Sequence, residues 1–160
     1  MITIGIDPGL TGAWAALNEA GEMIGMDDLP VVRDGKLGWI DGAQFFSQLL
    51  LMKNAQSPAG QQLHVLVERI VPMPQNGRLG AFSQGCTLGS ILATLQVMQA
   101  RIELVTPSQW KKSFNLISDK AMSLNKARLL FPSAELTRKK DHGRAEALLL
   151  AHFAFLKRSK

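Results

Sequence analysis

Apolar and small or polar residues alternate at the start of the chain, with Ile2, Ile4 and Ile6 separated by Thr3 and Gly5. A period of two predicts a strand. It stops at Asp7, where Pro8-Gly9 turns the chain. Gly12 to Asn18 predicts a second strand and Met23 to Met26 a third, joined by a turn over Glu19 to Glu22. Strands this close pair as antiparallel hairpins, because a parallel return needs a longer crossover. Residues 27–40 are polar, contain Pro30 and Gly35, and read as a loop.

Helical spacing follows Asp41, a good N-cap, through Phe45, Phe46, Leu49, Leu50 and Met52 to about Ala55. Ser57 to Gly60 ends that helix, and LHVLVE then predicts a short strand closing on Glu68. Its nearly continuous apolar run is that of a strand covered on both faces. Residues 69–78 hold two prolines and Asn76-Gly77, a loop signal. Leu79 to Met98 reads as a helix interspersed with Gly85, Gly89, Ser90 and Ala93, and Ile102 to Val105 as a fifth strand. Thr106-Pro107 starts a short helix carrying Trp110, Lys111, Lys112 and Phe114. Ser118 or Asp119 caps another, stopped by Pro132, and a last helix runs from about His142 to Lys157.

Three antiparallel strands, then alternating helix and strand, fit a mixed five-stranded α/β sheet with helices on both faces. Right-handed crossovers give the spatial order 3-2-1-4-5. Strands one and four are then parallel neighbours, and Asp7 and Glu68 leave the sheet side by side. Asp141 and Glu146, around the start of the last helix, complete an acidic set. These carboxylates are read as converging to hold divalent metal over a phosphodiester. Mg²⁺ takes oxygen ligands, and two such ions can activate a water and stabilise the leaving oxygen.

Each acid also has a plainer reading. Asp7 can cap its own turn, Glu68 can pair with Arg69 or Arg78, Asp141 can cap the last helix, and Glu146 can favour the helix dipole. His142 lies four residues before Glu146 on the same face, and is a candidate ligand or a group that positions or protonates near the scissile phosphate. His64 and His152 lack acidic neighbours at useful spacing and read as packing or surface residues.

Composition narrows the class. At 160 residues with 46% apolar content, the chain is expected to be one soluble domain, with no apolar run long enough to span a membrane. A signal peptide is not expected, since the N-terminus lacks a basic region and Asp7 interrupts its apolar run. The one cysteine, Cys86, excludes an internal disulfide, suits a reducing compartment, and reads as a packing residue. Charge is unevenly spread: residues 1–100 carry net −3 and residues 101–160 net +8. An acidic half for metal and a basic half for phosphate is the layout of a nuclease, and a solvated basic surface is the bland alternative.

Four stretches in order, IGIDPGLTGAWA, VLVERI with FSQGCTLGSILATL, VTPSQWKK, and KKDHGRAEALLLAHFAF, resemble the RuvC-type Holliday-junction resolvases of the RNase H-like superfamily. They span nearly the whole chain, and the last looks closer to the phage and chloroplast resolvases than to the common bacterial enzyme. The resemblance implies a single RNase H-like nuclease domain over residues 1–160. It also implies a homodimer that binds four-way or other branched DNA and nicks two strands symmetrically. Mg²⁺ would serve it, with Mn²⁺ as substitute and two ions per site. Neither a membrane nor a nucleotide cofactor is expected as a partner, and the expected location is the cytoplasm of a bacterial or phage-infected cell.

By the same resemblance Asp7, Glu68 and Glu146 take the first, second and last acidic positions. The bacterial third position, three residues before the last, is Gly143 here. Asp141 or His142 must substitute, and Asp141 is favoured, with His142 beside it as ligand or proton donor. Lys111, Lys112, Arg138, Lys139, Lys140 and Arg144 become phosphate contacts. The loop 69–79, with Val71, Met73 and Arg78, is placed to enter the open junction centre, although Met73 also suits simple loop packing. The small-residue helix 79–98 is the candidate dimer face.

Two other classes remain. IGIDPGLTGA also resembles the first phosphate-binding hairpin of actin-like kinases, but no second glycine-rich adenosine site is visible. A branched-DNA-binding module without cleavage is the other reading, and a complete acidic set argues against it.

Overall fold

The computed structural model describes residues 1–56, 61–71, 77–116 and 120–158. The strands are β1 (Ile2–Asp7), β2 (Ala13–Leu17), β3 (Met23–Asp28), β4 (Val31–Asp34), β5 (Leu37–Ile40), β6 (Leu63–Glu68) and β7 (Arg101–Val105). The helices are α1 (Gly42–Gln56), α2 (Gly77–Val97), α3 (Pro107–Ser113), α4 (Lys120–Leu130) and α5 (His142–Arg158), the last preceded by a 3-10 turn, Lys139–Asp141.

Five strands form the main sheet in the order β3-β2-β1-β6-β7. The pairs β1–β2 and β2–β3 are antiparallel, while β1–β6 and β6–β7 are parallel. Counted over the sheet's own strands this is 3-2-1-4-5, an RNase H-like α/β arrangement. Residues 27–40 correct the expected loop: β3 runs on to Asp28, and β4 and β5 make a separate antiparallel hairpin with Val31 opposite Ile40 and Asp34 opposite Leu37. Gly35 adopts φ +57° at its two-residue connection, the backbone that tight hairpins demand. The hairpin docks on α2, where Ser83 Oγ donates to the Gly38 carbonyl. The expected helix caps at Ser118 and Asp119 lie outside the described residues.

Strand alternation divides the interior in two. Ile2, Ile4, Ile6, Val65 and Val67 join one core with Phe45 and Leu49 of α1 and Ile91 and Leu95 of α2. Ala13, Ala15, Leu17 and Leu66 join the other with Trp110, Leu124 and the apolar stripe of α5. Thr3, Gly5 and Asp7 have the opposite parity to the β1 isoleucines and face α5. A Cβ on Gly5 would lie 2.1 Å from the Ala147 carbonyl oxygen and 2.3 Å from the Ala151 nitrogen. Only glycine lets α5 rest directly on β1. That contact sets where Glu146 meets the sheet. Among the described residues no helix is long and apolar enough to cross a membrane.

Candidate metal centre

Asp7 and Glu68 end neighbouring parallel strands in register, with Ile6 opposite Val67, so both carboxylates emerge at one sheet end. Both share the parity that faces α5. Glu146 lies one turn into α5, above them. The three carboxylates each offer an oxygen within 4.8 Å of the others.

Two of the three acids are held by α3 and α4. Pro107 opens α3, and the Thr106 backbone N–H donates to Gln109 Oε1 at 2.8 Å. This anchors the fully buried Trp110, whose Nε1 donates to Glu68 Oε2 at 2.7 Å. The next residue, Lys111, reaches Glu146 Oε1 at 2.8 Å, with its Nζ 5.1 Å from the Trp110 ring centroid. Ser123, buried on α4, donates to the same Glu146 oxygen at 3.1 Å.

Burial pushes the Glu68 carboxyl above its usual range, and the charge of Glu146 adds to this. The Trp110 hydrogen bond and the Lys111 charge oppose the shift without cancelling it. Three carboxylates crowd together here, with the Lys111 ammonium against Glu146, and a bound cation would relieve their mutual repulsion. Oxygen-only donors suit a hard divalent ion and not a thiolate- or imidazole-seeking one. The residues therefore fit the metal dependence implied by their arrangement.

Asp141 and His142 fall outside this cluster. Asp141 is buried and accepts from the Arg138 backbone N and Nε, both at 2.7 Å, with Arg138 Nη2 2.6 Å away. Burial alone would raise the Asp141 carboxyl, but the Arg138 hydrogen bonds and charge outweigh it and hold the group below its usual range. Gly143 explains why residue 143 cannot supply an acid. A Cβ there would meet the Thr11 carbonyl oxygen at 2.7 Å and Asp7 Oδ2 at 3.3 Å. His142 is half-buried in a cleft of about 250 Å³ with Thr11, Gly12, Arg138 and Lys140.

The basic residues divide by partner. Arg144 bonds Asp28 at 2.6 Å and Asp27 at 3.1 Å, and Arg138 also approaches Asp28 at 3.7 Å. Both arginines thereby tie the end of β3 to the start of α5. Lys112, Lys140 and Arg78 are exposed. Met73 and the Lys139 side chain lie outside the described residues. Sequence reasoning missed Trp110 and Ser123 as partners of the acids. Trp110 was legible only as an apolar position of a short helix, and nothing in the sequence near Ser123 pairs it with Glu146.

No family model matches the chain. A curated relative, the chloroplastic Holliday junction resolvase MOC1 of Chlamydomonas reinhardtii, is 36% identical over 86 residues, covering 51% of this chain and 10% of that protein. The chain thus spans about a tenth of the length of the curated relative it matches. Thermus thermophilus RuvC in complex with a Holliday junction substrate superposes with a TM-score of 0.67 at 18% identity, covering 99% of this chain and 96% of that one. A second Thermus thermophilus RuvC structure gives a TM-score of 0.57 at 19% identity, with coverage of 99% and 96%. The chain has the RuvC fold over nearly its whole length.

Proposed function

We propose that residues 1–160 form one RNase H-like nuclease domain that resolves four-way DNA junctions, as a homodimer, by Mg²⁺-dependent phosphodiester hydrolysis. The observation that carries this reading is the meeting of Asp7, Glu68 and Glu146 at one sheet end. The substrate is suggested by the names of similar proteins: MOC1 is a Holliday junction resolvase, and one matched RuvC structure holds a Holliday junction.

Asp7, Glu68 and Glu146 would hold Mg²⁺, or Mn²⁺ in its place. When bound, such an ion supplies positive charge for phosphoryl oxygens and lowers the pKa of a water. Trp110 keeps Glu68 aimed, and Lys111 with Ser123 restrains Glu146. Two ions per site would be completed by water and phosphate oxygens, and His142 is assigned to position or protonate near the scissile phosphate. Asp141 is engaged by Arg138, whereas His142 begins α5 one turn before Glu146.

Lys112, Lys140 and Arg78, with Lys139, are the phosphate contacts in this reading, and Met73 enters the junction centre. Arg138 and Arg144 act on DNA only by positioning the start of α5. Self-association through α2 is supported by its outward face, where Leu79, Phe82 and Val97 are 47%, 60% and 72% exposed. Gly85 and Gly89 leave open space between them for a second helix. A two-fold pair would match a near two-fold junction. A reducing bacterial or phage-infected cytoplasm suits the single cysteine.

The test is incubation with synthetic four-way, flap and duplex DNA, with and without Mg²⁺. Paired nicks in the junction, only with metal, are expected, and Asp7→Asn should lower them about 10³-fold while junction binding persists. Wild type that binds junctions without nicking would make the chain a branched-DNA-binding module. Lys112→Ala should reduce the slope of log affinity against log salt by about 1. An unchanged slope removes Lys112 from the DNA surface.

A further inference from the structure

A groove of about 360 Å³ runs beside the acidic cluster, between the turn Pro8–Leu10, Ile70, Lys36 at the hairpin tip, and α2 from Leu79 to Thr87. Two of its walls continue directly from the clustered acids: Pro8 follows Asp7, and Ile70 lies two residues after Glu68. A phosphodiester at the cluster would therefore leave its neighbouring nucleotide at this groove.

The chemistry of the lining is that of a site for a flat, mostly apolar group with polar edges. Pro8, Leu10, Ile70 and Leu79 supply apolar walls. Thr87 is 2% exposed, and its Oγ1 has no hydrogen-bond partner among the described residues. Buried hydroxyls are nearly always paired, so an orphan lining a groove marks a place for a ligand atom. Its neighbour one turn earlier, Ser83, is already engaged by the Gly38 carbonyl. A threonine hydroxyl both donates and accepts, as the edge of a base requires. Lys36 is exposed at the groove and adds a positive charge suited to an adjoining phosphate. The volume falls within the roughly 300–1,000 Å³ of small-ligand pockets.

We propose that this groove takes one unstacked nucleobase next to the scissile phosphate, with Thr87 bonding its edge. The inference rests on the nuclease reading above for its DNA. It makes Thr87 a determinant of where along a junction the chain cuts. A base at an open junction has already lost part of its stacking, so extruding it costs less than in a duplex.

The experiment uses the whole chain and junctions in which the two bases flanking the nick are varied through all four identities. A preference at one of these positions is expected, lost in Thr87→Val and retained in Thr87→Ser. Melting curves check that both variants fold. In parallel, 2-aminopurine at each flanking position should brighten when wild type binds without Mg²⁺, and brighten less with Thr87→Val. A preference unchanged in Thr87→Val, or nicking with no preference at either position, overturns the base site and leaves the nuclease reading intact. Absence of nicking on every junction overturns the nuclease reading, while the brightening still reports on the groove. Absence of brightening at both positions overturns the base site.

Discussion

The two ends of the sheet are built by the same elements and treat charge in opposite ways. At one end β1, β6 and α5 deliver Asp7, Glu68 and Glu146, three acids crowded together. At the other, β1, β6, β7 and α5 deliver Thr3, His64, Glu103, Lys157 and Arg158. There Lys157 bonds Glu103, and Arg158 Nη1 donates to Thr3 Oγ1 at 3.1 Å. Lys157 holds the Glu103 carboxyl below its usual range, whereas burial drives Glu68 above it. One end is electrostatically closed by its own side chains. The other keeps like charges together, an arrangement that costs stability unless a cation joins it. The closed end pairs its charged groups within the fold, although the buried His64 ring finds no hydrogen-bond partner among the described residues, and the crowded acids set the other end apart.

One test of this contrast is Trp110→Phe, which keeps an aromatic ring and removes the indole N–H that donates to Glu68. Partners that orient metal ligands typically contribute 10–100-fold, so nicking and Mn²⁺ affinity should each fall by about that factor. Unaltered Mn²⁺ binding would show that Glu68 needs no such support.

Glu68→Gln should abolish nicking yet raise stability in EDTA at neutral pH by about 1 kcal/mol, read as a higher denaturant midpoint. The sign follows from linkage. A carboxyl raised in the folded state stabilises while protonated, and that contribution is lost as pH rises from the unfolded value of 4.5 through the raised folded one. At neutral pH the charged wild type is therefore penalised and glutamine is not. A loss of stability in Glu68→Gln would mean the acidic end is as well compensated as the opposite one.

The smallest effect belongs to the closed end. His64 is buried, and burial with the Arg101 charge lowers its pKa from 6.5. Glu103 lies 3.7 Å away, too far for a hydrogen bond. The neutral ring stabilises above the unfolded pKa, and that contribution fades as pH falls from 6.5 through the lowered folded value. Denaturant melts should show this acid-side loss in wild type and a flatter profile in His64→Leu. An identical profile would remove His64 from the pH response.

The strands were legible where the period was clean. Ile2, Ile4 and Ile6 announced β1, and the short spacing to the next two strands forced antiparallel pairing. The hairpin of residues 31–40 was hidden because Pro30 and the polar residues around Gly35 resemble a loop, while the pairing of Val31 with Ile40 is settled only by docking on α2. Asp7 and Glu68 could be placed together from sequence because parallel neighbouring strands end at the same edge.

Sequence by itself determined the order of elements, the parity that turns Asp7 and Glu68 toward one face, and the acid one turn into the last helix. These follow from backbone periods of two and 3.6, which are local. Tertiary structure alone decided which acids share a centre. Asp141 and Glu146 look equivalent along the chain, yet Arg138 takes the first, and the seat of α5 on Gly5 brings the second to Asp7. The first choice is a contact spanning only three residues, but the second depends on distances between segments far apart in the chain, and a local period carries no information about those.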